Sequence, residues 1–213
     1  MLAPTAAGLE PEFVSDGAGL PFPPSALKAP AGDLGLGDPA VDALAAQLRR
    51  QSPTADGSLP QLQQWRILAR TDTEVLFARG LPPEMITVVM RHVGRRDGWH
   101  SVAVNRGAAL RAARDGIRAS NWELDETHPL TAADTVIRIL VTEQTRSGGS
   151  LADKRLLTPD LHNGGDEVLL RVFVTPRTGV QMAASTPQTP VRIQLPTPIG
   201  ERRLIDGALY RPS

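Results

Sequence analysis

Two apolar runs about thirty residues apart dominate the hydrophobic pattern of the C-terminal half: residues 135–142 (TVIRILVT) and 168–175 (VLLRVFVT). Each places one arginine inside a β-branched and aliphatic run, and each ends in a threonine followed by turn chemistry, the composition of a core strand. With a side-chain period of two, Arg138 shares a face with Val136 and Leu140, while Ile137, Ile139 and Val141 share the other. The pattern predicts an inward aliphatic face and an outward face where arginine stems cover apolar surface. Arg138 and Arg171 are thereby also candidates for an anion- or partner-binding face.

Further strand signals precede and follow these runs. Residues 64–70 and 74–79 flank Thr71-Asp72-Thr73 and predict a hairpin. Residues 85–90 and 99–104 flank a glycine-bounded turn at 94–98 and predict a second one. The stretch 108–118 has few apolar positions and suggests a short helix or an irregular loop. Residues 122–125 precede the first twin run, and 161–166 form a turn before the second. Residues 191–195 alternate cleanly and stop at Pro196, as an edge or terminal strand would. About eight strands at short spacing predict a mainly β chain, an antiparallel sandwich or open barrel.

The pattern changes near the N-terminus. Asp38 can cap a helix, Pro39 suits its first position, and Val41, Leu44, Ala45 and Leu48 form one face through to Arg50. Before it, residues 1–37 hold six prolines and six glycines around isolated apolar side chains. The composition predicts an extended arm, with Phe13, Leu20 and Phe22 as its candidate partner contacts. The expected organisation is an arm (1–37), a helix and linker (38–60) and a β-rich domain (61–213), with subdomains at 61–125 and 126–213.

Composition adds bounds. Aromatic residues make only 4% of the 213, so Val, Leu, Ile and Ala must fill the core. The formal net charge is zero, but residues 1–60 hold three basic against seven acidic residues, leaving a net +4 on the remainder. That asymmetry permits docking between halves or subunits. The chain has no cysteine, which excludes disulfides, thiolate metal sites and cysteine nucleophiles. No 18-residue apolar stretch occurs, so no membrane-spanning helix is expected. The expected setting is the cytoplasm or an assembly formed there, or export after loss of a signal.

Candidate chemistry is sparse. No phosphate loop, dinucleotide fingerprint, HExxH or nucleophile elbow is present. His92, His100, His128 and His162 never lie at ligand spacing with one another, and neither metal nor cofactor is expected. Glu143, Asp160 and Asp206 are the carboxylates a glycan hydrolase would use, with Arg155, Arg202 or Arg203 as natural salt-bridge partners in the structural alternative. Between residues 91 and 118 stand Arg91, Arg95, Arg96, Arg106, Arg111, Arg114 and Arg118 against two acids. This is the candidate charged docking rim. With Trp99 as its one stacking aromatic, nucleic acid is not the expected partner.

From Trp65 to Gly207 the chain resembles a group of actinobacterial, often exported, β-rich proteins of unknown function. The shared features are a tryptophan-led hairpin over 65–77, the Gly98-Trp99 pair, Trp122-x-Leu124-Asp125 and Leu140-Val141-Thr142-Glu143. They continue with Ser147-Gly148-Gly149-Ser150, residues 156–161, Pro187-x-Thr189-Pro190 and residues 200–207 (GERRLIDG). The resemblance implies cysteines just after the Val-Thr-Glu element and just before the Pro-x-Thr-Pro element. Here both neighbourhoods lack them. It supports a fold and carries no mechanism. The expected function is a non-catalytic structural or interaction module with a protein partner or self-assembly through the arm. The alternatives are an exported ligand-binding domain and a carboxylate hydrolase.

Overall fold

The computed structural model describes residues 5–6, 12–15, 19–35, 37–51, 61–94, 98–107, 109–143, 149–178 and 187–211. Strand dominates, at 43% of residues against 13% helical, and among the described residues none of the sheets closes into a barrel. The strands in chain order begin with β1 (Thr5–Ala6), β2 (Glu12–Ser15), β3 (Trp65–Arg70), β4 (Glu74–Arg79) and β5 (Ile86–His92). They continue with β6 (Trp99–Arg106), β7 (Leu110–Arg114), β8 (Ile117–Arg118), β9 (Asn121–Leu124) and β10 (Val136–Thr142). Then follow β11 (Asp160–Asn163), β12 (Glu167–Arg171), β13 (Thr189–Gln194) and β14 (Arg203–Asp206). The one α-helix among the described residues, α1, spans Pro39–Gln51.

The chain divides into two compact units, Pro11–Arg111 with Arg211–Ser213, and Ala112–Tyr210 with Met1–Glu10. The division falls inside β7; α1 and residues 11–37 group with the first of these units, and residues 1–10 with the second.

In the first unit, β3, β4, β5 and β6 form an antiparallel meander in that order, as the two expected hairpins require. Thr71 closes the β3–β4 turn, its hydroxyl accepting from the Glu74 N–H at 3.0 Å. The central strands are buried on both faces. Val75, Phe77, Val88 and Met90 pack with Val41 and Leu44 of α1 and with Trp65. Asp38 caps α1 as expected, accepting from the Ala40 N–H at 2.9 Å.

Residues 12–15 and 19–35, the described part of the expected arm within this unit, lie against their own unit. Phe13 and Phe22 bond to each other's backbone, Phe13 is 6% exposed, Phe22 is fully buried and Leu20 is half-buried. Gly19 lies against Leu76 and Val89, on the sheet face opposite α1. Further on, the Leu27 carbonyl accepts from Arg66, the Gly32 N–H donates to the Trp65 carbonyl at 2.7 Å, and Leu34 joins the core under α1. The segment is a strap passing from one face of the sheet, around the β3 edge, to the other. Its apolar residues make this the favourable state, since burying a Phe or Leu is worth about 1.5–3 kcal/mol.

The second unit packs two sheets on one core. One is antiparallel, in the order β13-β10-β9; the other is mixed, in the order β1-β11-β12-β14. Ile137, Ile139 and Val141 from β10, Val191 and Ile193 from β13, and Val168 and Leu170 from β12 fill the space between. The twin runs thus share one core from opposite sheets, with Arg138 outward as the alternation predicts. The described part of the stretch expected as helix or loop, 109–118, is instead mostly strand: β7 and β8 form a hairpin turning at Asp115-Gly116, both at positive φ, the geometry of a type I′ turn. Residues 161–166 likewise contribute strand β11 before their turn. The 95–97 tip of the β5–β6 turn and the 144–148 part of the Ser-Gly-Gly-Ser connection lie outside the described residues.

Candidate anion-binding face

The described arginines of the seven-arginine rim fall in both units, and each has its own local surroundings. Arg91 is exposed on β5 but bonded to Glu74 at 2.5 Å. Arg106 ends β6 exposed, while Arg111 on β7 is buried, at 6% exposed. Arg114 donates to Asp160 at 2.8 Å and to the Thr158 carbonyl at 3.0 Å, with its guanidinium 4.5 Å above the Phe173 ring. Arg118, half-buried, pairs with Ala113 and so lies on the opposite hairpin face from Arg114. Arg95 and Arg96 lie outside the described residues.

The three carboxylates considered for hydrolysis each hold the fold. Glu143, its side chain only 3% exposed, accepts both terminal nitrogens of Arg155, one at 2.6 Å. Its carboxylate in turn raises the Arg155 pKa above the usual value. Arg155 also reaches the Thr175 carbonyl at 2.9 Å, tying the ends of both twin runs together. Asp160 holds Arg114, and Asp206 accepts from the Ala208 N–H at 2.9 Å. Arg171 lies opposite Asp160 and donates to the Gly207 carbonyl at 2.8 Å; burial pushes its pKa down. Its role is structural.

What remains is the outer face of the β13-β10-β9 sheet. The ladder register sets Arg138 directly opposite Arg192, with Val136 opposite Gln194 and Leu140 opposite Pro190 on the same face. Among the described residues, neither guanidinium has a hydrogen bond or an ion pair. Arg138 feels the attraction of Asp134, whose pKa is lowered first by the Thr131 N–H, then by the Thr131 hydroxyl. Like charges directly opposed on a sheet are destabilising, by roughly 0.2–1 kcal/mol.

Beside Arg138 the β9–β10 connection folds into a groove of about 300 Å³, lined by Leu124, Thr127, His128, Pro129, Leu130, Asp134 and Val136. Asp125 organises that connection. Its carboxylate accepts from the Thr127 hydroxyl at 2.6 Å and meets His128 Nδ1 at 3.0 Å, and these bonds, Thr127's first, depress its pKa. The Thr127 hydroxyl is also 2.8 Å from the same Nδ1. Hydroxyl and carboxylate thus meet one ring nitrogen, whereas a relay needs one on each side. The group is a loop lock.

The remaining histidines are dispersed: His92 stands edge-on to Trp99 at 5.5 Å, and His100 and His162 are exposed. Sequence alternation places Arg192 outward but does not say which strand lies beside β10, so the opposed pair is visible only in the register. Against protein-family models, curated proteins and solved structures, the chain finds no match.

Proposed function

We propose that this chain is a non-catalytic structural or interaction module whose working surface is the outer face of the β13-β10-β9 sheet. The observation that carries this reading is the opposed Arg138–Arg192 pair. Folding alone favours a neutral or opposite charge at one of the two positions, so a like-charge pair here is what a surface that meets an anionic partner looks like. The structural bonds of Glu143, Asp160 and Asp206 support the absence of acid–base work at those positions. The burial of Phe13 and Phe22 within their own unit favours this face over the arm as the place where a partner is met.

The test is the stability of R192T. Threonine suits an exposed strand position and removes one of the two charges. At low ionic strength its melting temperature is expected to rise by about 1–4 °C, from roughly 0.2–1 kcal/mol of relieved repulsion. A fall of the same size would mean that Arg192 serves the fold, and the reading would be wrong.

A further inference from the structure

We infer that this face binds a small amphipathic oxyanion, with its carboxylate or phosphate head between Arg138 and Arg192 and its apolar body in the adjoining groove. The inference rests on the reading of the face as the working surface and names its ligand class. Two guanidiniums opposed across one ladder present forks of N–H donors whose planar geometry matches carboxylate and phosphate oxygens. An oxyanion seated between them converts one repulsion into two charge-assisted contacts. The groove beside Arg138 is polar for the most part, but Leu124, Pro129, Leu130 and Val136 give it apolar side chains that a short alkyl body can meet, and its volume is about 300 Å³.

The neighbouring acids narrow the class. Asp134 lines the groove and Asp125 anchors its rim, and both carboxylates are held ionised by local hydrogen bonds. A polyanion laid along this face would meet both of them. A single head avoids them by sitting toward Arg192; Glu123, on the same face opposite Leu140, is taken up by the Gln188 side chain. A neutral ligand would leave the opposed charges unrelieved.

The experiment titrates the full chain with hexyl phosphate, hexanoate, inorganic phosphate and hexanol, by calorimetry and by amide chemical shifts. At least one of the two amphiphiles is expected to saturate at one per chain, shifting amides at residues 127, 128, 130, 138 and 192, and its head identifies the natural one. Inorganic phosphate and hexanol are each expected to bind at least tenfold more weakly. R192Q and R138Q are each expected to weaken the amphiphile about tenfold, the loss of one charge-assisted contact. Binding by R192Q equal to wild type overturns the proposal, as do inorganic phosphate binding as tightly as hexyl phosphate and no saturable binding of either amphiphile. A stabilised R192T together with no amphiphile binding rejects the ligand class while leaving the working surface standing; a destabilised R192T rejects the surface itself.

Discussion

Arg155 and Arg192 are both exposed-type residues placed on strands or turns of one unit, yet their surroundings give them opposite roles. Arg155 meets Glu143 in a nearly buried pair and also bonds two backbone carbonyls, at Thr175 and Leu151. Removing it leaves a carboxylate without compensation where water barely reaches. R155M is therefore expected to destabilise the protein by roughly 3–5 kcal/mol, measured by chemical denaturation. The double variant Glu143→Leu with Arg155→Met should recover most of that loss, because it removes both charges rather than stranding one. Equal stability of the single and double variants would show that packing and not charge sets the cost. Arg192 has no such partner, so its substitution moves stability the other way. The sequence shows both arginines equally; what separates them is the company each keeps after folding.

At the scale of elements, hairpins, helix and core faces were legible because each rests on local periodicity. The α1 cap at Asp38, the Thr71 turn and the inward set Ile137, Ile139 and Val141 all follow from spacing within about ten residues. The β7–β8 hairpin had a local signal too, in Asp115-Gly116, but its flanking strands are short and arginine-rich, which masked it. The strap was illegible for a different reason. A Pro- and Gly-rich segment with scattered apolar residues has the same composition whether it reaches out or wraps back, and the choice rests on a β3 edge far away in sequence. Both edge strands of that sheet carry an extra residue, Leu68 in β3 and Val102 in β6, which disrupts the ladder and discourages pairing with another sheet. The strap closes the β3 side further. Phe22→Ala, at a fully buried position, is expected to lower stability by about 3–5 kcal/mol and leave the size-exclusion profile of the folded protein unchanged. A change of oligomeric state without loss of stability would restore the arm as an assembly contact.

For the whole molecule, the formal charge of zero conceals a sorting of charges by structural role. Two of the three acids considered for chemistry and two of the rim arginines are paired within a unit: Glu143 with Arg155, Asp160 with Arg114, and Arg91 with Glu74. The candidate site was half-visible from sequence, in Arg138 on the outward face of its strand. The other half, Arg192, became visible only through the pairing of β10 with β13, a contact across more than fifty residues that no local pattern encodes. The central expectation is that Arg138 and Arg192 repel each other in the folded chain, on the face proposed to meet a partner. A double-mutant cycle with R138T, R192T and the double variant measures that repulsion directly from denaturation free energies at low and high salt. The account predicts that the double variant gains less than the sum of the single gains, since either substitution relieves the same repulsion, and that the shortfall shrinks as salt screens the pair. Additive effects, or single variants that each lose stability, would contradict it.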